Sequence, residues 1–448
     1  MNRLSFRLKN GLSPGSLAML LLVLASPQLW GGDEILTLES AIKMALARNE
    51  RALTANQEFS AAEARVARAR AYFLPTLNTT GTYTRRPFEV KRTVGETQIV
   101  IQKYDALAGV AALNLTIFDA RSIPAMRQAT SDRNAARYAA SETKRQLAFE
   151  VSNAYIMALS VDQLLVASHR RFEYAGQALD AARARYAAGL VSVNDVTRAE
   201  LEHATAEMGI TQAKGLVETT YLELGFLLDD SAAGEKELQI PEFLLEASLE
   251  RAAPVEDLIV QAQERRLDLN AQRWRAKAQH ALMLEPLLKW VPSLSFTGQY
   301  RYTNEAGFTG RSTNWNVGLT MSWMVFDGFS RNAEYSERKA LASIADLNVK
   351  SSIRGVELDV RDALASLSNQ KATLKQAQVA HEVAQKNAAQ ITELYRQGLS
   401  TALEVADANV QLFEAEVQLV RERYGLGIAF LNLEAALGLD PFGKEPKL

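Results

Sequence analysis

The chain has 448 residues, of which 48% are hydrophobic and 23% are charged, and its formal net charge is -2. This globular balance has no basic excess and gives no indication of a nucleic-acid partner. The absence of cysteine excludes disulfides, thiolate metal sites, cysteine nucleophiles and a lipid anchor attached through cysteine.

The N-terminus has the features of a secretory signal peptide. Three basic residues precede an apolar run from Leu17 to Ala25, which is too short to span a bilayer as a helix. We therefore predict a signal peptide at 1–32, cleaved between Ala25 and Asp33. No other segment approaches a transmembrane helix in this interpretation.

A first repeat is predicted at 33–228. It begins with a helix opening at 36–50 and continues with two alternating strands within 75–118. A helical hairpin follows at 120–228, where no proline occurs beyond Pro124 and strong helix formers dominate. The hairpin is predicted to contain one long helix ending at Ala187 and a second helix capped by Asn194 or Asp195, with Gly189 at the turn.

The same order of elements recurs at 254–440. A helix opens at 253–269, two strands lie within 292–326, and a hairpin at 329–438 turns at Gly398. The chain thus repeats one unit of about 210 residues. An internal duplication of this kind must be recognised before a fold is assigned. Residues 229–253 separate the repeats, and 441–448 form a short tail.

Each predicted strand alternates apolar and polar residues over about ten positions, as strands of a transmembrane barrel do. The aromatic side chains near their ends are Tyr83, Phe296, Tyr300, Tyr302, Trp315 and Trp323. A soluble sheet packed on one face is the commoner use of such alternation, but no other element remains to cover that face. Four strands cannot close a barrel and an open edge cannot face lipid, so the chain must oligomerise. These arguments leave the number of subunits open.

The layout resembles the TolC-like outer-membrane factors over about residues 35–440. The resemblance rests on Pro75 and Pro292, on Phe118-Asp119 and Phe326-Asp327, and on Gly189-Leu190 and Gly398-Leu399. It implies an α+β membrane protein, a homotrimer whose twelve-stranded outer-membrane β-barrel continues as a twelve-helix periplasmic α-barrel. It further implies an equatorial insertion at 229–253 and extracellular loops at 87–103 and 304–312.

In this family the hairpin turns meet a periplasmic membrane-fusion (adaptor) protein. The residues at the corresponding positions are Gly189, Leu190, Val191 and Ser192, with Gly398, Leu399, Ser400 and Thr401. The resemblance also implies a gate of acidic side chains at Glu404 and Asp407, and rings of carboxylates can select cations. First-turn acids that complement a helix dipole are the alternative interpretation of this pair.

Well-studied members carry an arginine two residues after the second glycine, where this chain has Ser400. The form of the closing network is therefore open, with Tyr186, Asp195, Tyr395 and Arg396 as its candidates.

No catalytic or cofactor motif is found. The four histidines are scattered, and neither a phosphate-binding G-x-x-x-x-G-K-[ST] nor a G-x-S-x-G motif occurs. We therefore expect no enzyme activity, cofactor or metal, but a passive exit duct driven by an inner-membrane RND or ABC transporter. Drugs, metals and secreted proteins remain open as cargo. The alternative function is a non-conducting periplasmic coiled-coil adaptor or scaffold.

Overall fold

The structure is a computed structural model that describes residues 35–231, 234, 236–241, 254–306 and 310–446. The predicted signal peptide at 1–32 lies outside the described residues. The helices are α1 (Leu38–Arg48), α2 (Glu50–Ala71), α3 (Ser122–Ala187), α4 (Val193–Leu228), α5 (Val255–Arg265), α6 (Leu267–Met283), α7 (Glu285–Leu288), α8 (Ser330–Arg396) and α9 (Ala402–Ala436). The strands are β1 (Thr76–Arg85), β2 (Val90–Val94), β3 (Thr97–Gln102), β4 (Asp105–Phe118), β5 (Ser293–Thr303) and β6 (Thr313–Ser322).

Each repeat begins with two helices where one was predicted. Asn49 has extended backbone between α1 and α2, and its side chain accepts a hydrogen bond from the Arg51 amide at 3.0 Å. The same side chain donates to the carbonyl oxygen of Leu227, at the end of α4, at 3.0 Å. Arg266 forms the equivalent break between α5 and α6, where the chain passes Gly438 just beyond α9. Each break therefore lies where the second helix of the hairpin, α4 or α9, ends.

Four strands form one antiparallel sheet in the order β1-β4-β5-β6. The predicted loop at 87–103 is not wholly irregular, because β2 and β3 pair there as a separate hairpin. Its tight turn is possible because Gly95 adopts a φ of 64°, which two-residue hairpin turns require. The last strand also ends earlier than the predicted limit of 326, at Ser322.

The helices follow the same lateral order as the strands that they continue. Near the sheet, α3 packs between α2 and α6, and α6 also packs against α8. Towards the hairpin turns, α3 packs between α4 and α9, and α9 packs against α8. The chain therefore forms one layer, with β1, α2 and α4 along one edge and β6 and α8 along the other.

Two apolar clusters lie where the helices near the sheet meet the helices that run towards the hairpin turns. One packs α1 against the middle of α3 and the end of α4, and includes the fully buried Tyr155. The other packs α5 against the middle of α8 and the end of α9. One stretch of α3 is apolar and long enough to span a bilayer, contrary to the sequence expectation, but half of it is buried inside the protein.

The two apolar clusters mark a level of the molecule that we call the waist. The described part of the inter-repeat segment lies beside it. Leu238 forms a parallel bridge with Leu36, and the Tyr155 hydroxyl lies 2.5 Å from the carbonyl oxygen of Leu36 and 2.7 Å from that of Gln239. Residues 242–253 lie outside the described part. The predicted tail packs on the helices, since Pro441 is buried and Phe442 contacts the first cluster.

Candidate functional site

The two faces of the sheet differ in chemistry. Paired residues of antiparallel strands lie on the same face, and the register aligns Leu113 with Gly298, Leu115 with Phe296, and Tyr300 with Trp315 on one face. The opposite face carries mainly hydroxyl, amide and small side chains, such as Thr80, Thr297 and Asn316. Every residue of the edge strands β1 and β6 is exposed in the single chain. The apolar face and both edges thus have no cover within the described residues.

A β-bulge near the end of β4 changes which of its residues lie on the apolar face. Thr116 pairs with Ser295, but Phe118, not Ile117, pairs with Leu294. The extra residue moves Phe118 to the apolar face on which Ile117 was expected.

The predicted aromatic belt lies on or next to the apolar face. Tyr83, Tyr300, Tyr302 and Trp315 are exposed near the loop ends of their strands. Phe296 lies nearer the helical end, and Trp323 lies just outside β6, where its indole nitrogen donates to the carbonyl oxygen of Trp290 at 3.0 Å. Trp290, which was not predicted, is also exposed and lies with Trp323 at the helical end of the sheet.

An aspartate fastens the first strand-to-helix junction. Asp119 accepts hydrogen bonds from the Tyr72 hydroxyl at 2.6 Å and from the Arg121 guanidinium at 2.6–3.1 Å. The hydrogen bonds from Arg121, reinforced by Tyr72, lower the pKa of Asp119 to about 2. The carboxylate is therefore ionised under physiological conditions.

The second junction repeats this chemistry with a different arginine. Asp327 accepts from the main-chain and guanidinium nitrogens of Arg331 at 3.0 and 2.9 Å. The same guanidinium lies 3.8 Å from the centre of the Trp290 ring. Each repeat therefore has an Asp–Arg pair at the start of its long helix, just after the strand that precedes it.

The two hairpin turns have the same backbone. Gly189 and Gly398 have φ values of 71° and 81°, a region that strongly favours glycine. Gly189 N donates to Tyr186 O at 2.9 Å and Leu190 N to Arg185 O at 2.9 Å. Gly398 and Leu399 make the corresponding bonds at 3.0 and 2.9 Å. The side chains of Leu190 and Leu399 project into solvent, with 74% and 72% of their surface exposed.

Each turn is followed by a capping box. Ser192 is the N-cap of α4 and Asp195 its reciprocal partner, which corrects the predicted cap at Asn194 or Asp195. Thr401 caps α9, and Glu404 accepts from the Thr401 amide at 2.8 Å and from the Ser400 hydroxyl at 2.6 Å. These hydrogen bonds, that from Ser400 first, lower the pKa of Glu404. Asp407 is exposed one turn further along α9 and makes no hydrogen bond or ion pair with any residue in the described ranges.

An arginine that was not predicted joins the two hairpins. The Arg185 guanidinium donates to the carbonyl oxygens of Tyr395 and, at 3.1 Å, of Arg396, at the end of α8. It also lies 4.0 Å from the centre of the Tyr395 ring. Tyr395 is buried, and its hydroxyl has no hydrogen-bond partner within the described parts of the chain. The sequence places Arg185 in the last turn of α3, where a basic residue complements the helix dipole, but it does not indicate the contact with the end of α8.

A cleft of about 750 Å³ separates the turns. Its wall includes the predicted Gly189, Leu190, Val191, Ser192, Asp195, Tyr395, Arg396, Gly398, Ser400 and Thr401. The predicted Tyr186, Leu399, Glu404 and Asp407 do not line it. The structure thus brings together the turns and their caps, and leaves the two proposed gate acids on the exposed side of α9.

Comparison with known proteins decides the family. Residues 41–229 and 258–439 match the family described as Outer membrane efflux protein. The chain belongs to this family. The resemblance to TolC-like outer-membrane factors is thereby confirmed, and this efflux protein is an outer-membrane protein with a large periplasmic extension.

Individual relatives are distant. Nodulation protein T of Rhizobium leguminosarum bv. trifolii is 23% identical over 323 residues, which are 68% of the efflux protein and 66% of that relative. The toluene efflux pump outer membrane protein TtgC of Pseudomonas putida is 25% identical over 412 residues, 90% of this chain and 82% of TtgC. The efflux protein therefore spans about two thirds of the length of the first of these relatives.

The fold matches that of solved outer-membrane proteins. The crystal structure of VceC from Vibrio cholerae has a TM-score of 0.74 at 18% identity, covering 90% of this chain and 96% of VceC. At this level of identity the likeness concerns the fold alone. It agrees with the helical wall and the sheet described above.

Proposed function

We propose that this protein is a passive exit duct, built from three chains that close a twelve-stranded barrel and a twelve-helix tunnel. The observation that carries this proposal is the sheet with one apolar face, one polar face and two bare edges. Joining β6 of one chain to β1 of the next would pair both edges, as a lipid environment requires. The apolar face would then contact lipid, and the polar face would line water.

The helix edges support the same closure. On α4, exposed Leu201, Met208, Leu222 and Phe226 lie on the side opposite the residues that pack on α3. On α8, exposed Ile344, Leu347, Leu358, Val379 and Val383 lie opposite the residues that pack on α9 and α6. Two different apolar stripes on opposite edges fit a head-to-tail ring. We assign the described part of residues 229–241 to the waist of this ring, and residues 242–253 lie outside the described ranges.

The hairpin turns form the proposed partner surface. Leu190 and Leu399 are exposed at the end of the wall farthest from the sheet, and Leu190 also lines the cleft between the turns. Such exposed apolar side chains suit contact with a periplasmic adaptor protein. Energy for transport would come from an inner-membrane RND or ABC transporter coupled through that adaptor.

The gate is proposed at Glu404 and Asp407, with Tyr395, Tyr186 and Asp195 near it. Glu404 stays ionised because Ser400 and Thr401 donate to it, and Asp407 is exposed one turn away. Three copies of each would place two rings of carboxylates at the aperture. Arg185 would hold the resting state in place of the missing arginine at position 400, because it links α3 to the end of α8.

Single-channel recording of the purified protein in planar bilayers tests both the duct and its gate. We expect a small resting conductance, increased several-fold by Arg185→Gln, and increased with loss of cation block by Glu404→Ala combined with Asp407→Ala. Arg183→Gln is the matched control for Arg185, since among the described residues Arg183 pairs with the exposed Glu200 of the same hairpin and with no other acid.

A soluble protein that forms no channels would favour the alternative of a non-conducting periplasmic adaptor or scaffold. Channels whose conductance is unchanged in all of these variants would retain the duct and remove the proposed gate.

A further inference from the structure

The polar face of the four-stranded sheet carries one formal charge among the described residues of its strands, the guanidinium of Arg301. The residues aligned with Arg301 across the sheet are Val110 on β4 and Asn314 on β6. The rest of this face consists of threonine, serine, asparagine and glutamine, with small apolar residues on β4 and Gly318 on β6. A single cation therefore stands on an otherwise neutral wall.

The acidic side chains at this end of the sheet are engaged by other arginines. Asp105 bonds to Arg85 at 3.0 Å and accepts from the Tyr83 hydroxyl at 2.7 Å, and all three belong to the apolar face. Glu305 accepts hydrogen bonds from Arg86 and from the Lys103 amide. Arg301 is exposed and makes no ion pair with any residue that the structure describes. Its charge is thus not compensated by any residue in the described ranges.

We propose that Arg301 makes the outer end of the duct selective for anionic solutes. The proposal rests on the proposed function, in which the polar face lines the channel. Arg301 lies two residues before the end of β5, next to the loops, so three copies would form one ring of guanidinium groups near the outer mouth. Charges in a low-dielectric wall focus the field in the channel, and rings of arginine or lysine favour anions. The outer mouth and the tip, with its carboxylates, would then have opposite charge.

The absence of native cysteine allows a direct test with single thiol reporters. Gln299 shares the face of Arg301, about 7 Å along the strand, and Tyr300 lies on the apolar face. In intact cells we would measure the rates at which Gln299→Cys and Tyr300→Cys react with anionic sulfonatoethyl methanethiosulfonate and with cationic trimethylammonioethyl methanethiosulfonate. We expect reaction at position 299 and none at the lipid-facing position 300.

The charge effect is measured as the ratio of the anionic to the cationic rate at position 299. Arg301→Gln should lower this ratio about tenfold, and Arg301→Lys should preserve it, because only the charge matters. An unchanged ratio in Arg301→Gln would overturn the inference while leaving the duct intact. Reaction at position 300 alone, or at neither position, would instead overturn the proposed channel itself.

Discussion

At the scale of residues, side-chain donors complete the helix ends of this protein. The last carbonyl groups of a helix have no partner within it. Asn49 donates to Leu227 at the end of α4, and Arg185 donates to Tyr395 at the end of α8. Arg145 donates to Ala435 and Leu439 at the end of α9, at 3.0 and 3.2 Å. In each case one side chain joins two elements that are far apart in sequence.

Glu434, near the end of α9, differs from these donors because it is a buried acidic residue. The residue is 8% exposed, and one carboxyl oxygen has no hydrogen-bond partner among the described residues. Burial first, and then the nearby charge of Asp440, raise its pKa to about 7, although Arg265 opposes the shift. The waist of the protein thus contains a carboxyl group that favours its neutral form.

We predict that Glu434 makes the protein less stable as the pH rises. Its folded pKa of about 7 lies above the ordinary glutamate pKa of 4.5, so between these pH values the folded state holds a proton that the unfolded state loses. Its stabilising effect is therefore complete below pH 4.5 and is lost as the pH rises to 7, by about 3 kcal/mol. Glu434→Gln should melt at higher temperature than the wild type at pH 8 and close to it at pH 4.5.

The control for this measurement is Glu382→Gln, at an exposed glutamate paired with Lys386. It should not raise the melting temperature at pH 8. An equal difference between Glu434→Gln and wild type at both pH values would contradict the assignment.

At the scale of elements, three glycines end long helices but differ in their surroundings. Gly189, Gly398 and Gly438 all have positive φ. At Gly189 and Gly398 an added Cβ would meet nothing within 4 Å, whereas at Gly438 it would lie 3.0 Å from the Arg266 nitrogen and 3.1 Å from its Cα. The first two glycines serve the backbone of a turn. Gly438 also permits the close contact between the end of α9 and the start of α6.

We predict a corresponding difference in stability. Gly398→Ala should cost about 1 kcal/mol, from backbone strain alone. Gly438→Ala should cost about 3 kcal/mol, because it adds a clash with backbone that cannot move independently. Thermal unfolding of the two purified variants provides the comparison. Equal losses would show that the end of α9 can shift away from Arg266.

At the scale of the whole molecule, the single chain is an incomplete structure. Its sheet has two bare edges, and its outermost helices α4 and α8 present apolar stripes away from their own chain. Met208 and Val379 belong to these stripes and lie at matching distances along the chain from the turns at Gly189 and Gly398. In a head-to-tail ring they would face each other across the subunit boundary.

We predict that Met208→Cys combined with Val379→Cys forms disulfides between subunits. Cysteines can pair when their Cα atoms approach within about 7 Å, and the chain contains no other thiol. Oxidised samples should run as covalent trimers on denaturing gels. Met208→Cys with Ala377→Cys is the matched control, because Ala377 is buried on the opposite side of α8. Equal cross-linking by the control pair, or a molecular mass of one chain in detergent, would contradict the proposed ring.

Much of the fold follows from local sequence signals. The glycine turns, the long helices without interior proline and the alternating strands each depend on neighbouring residues, and the structure contains all three. The breaks at Asn49 and Arg266 were not predicted, because they depend on helix ends about 170 residues away. The β2–β3 hairpin was missed although its signal is local, a glycine between two short strand-forming stretches.

The candidate site divides in the same way. The sequence by itself determined the duplicated unit, the positions of both turns and the apolar face of the sheet. These features depend on the spacing of apolar residues and on the positions of glycine and proline, which are properties of neighbouring residues. Only the tertiary structure decided that Arg185 fastens α3 to the end of α8 and that Arg301 has no ion pair with any described residue. These facts depend on which side chains meet after distant segments pack, and no spacing in the sequence encodes that.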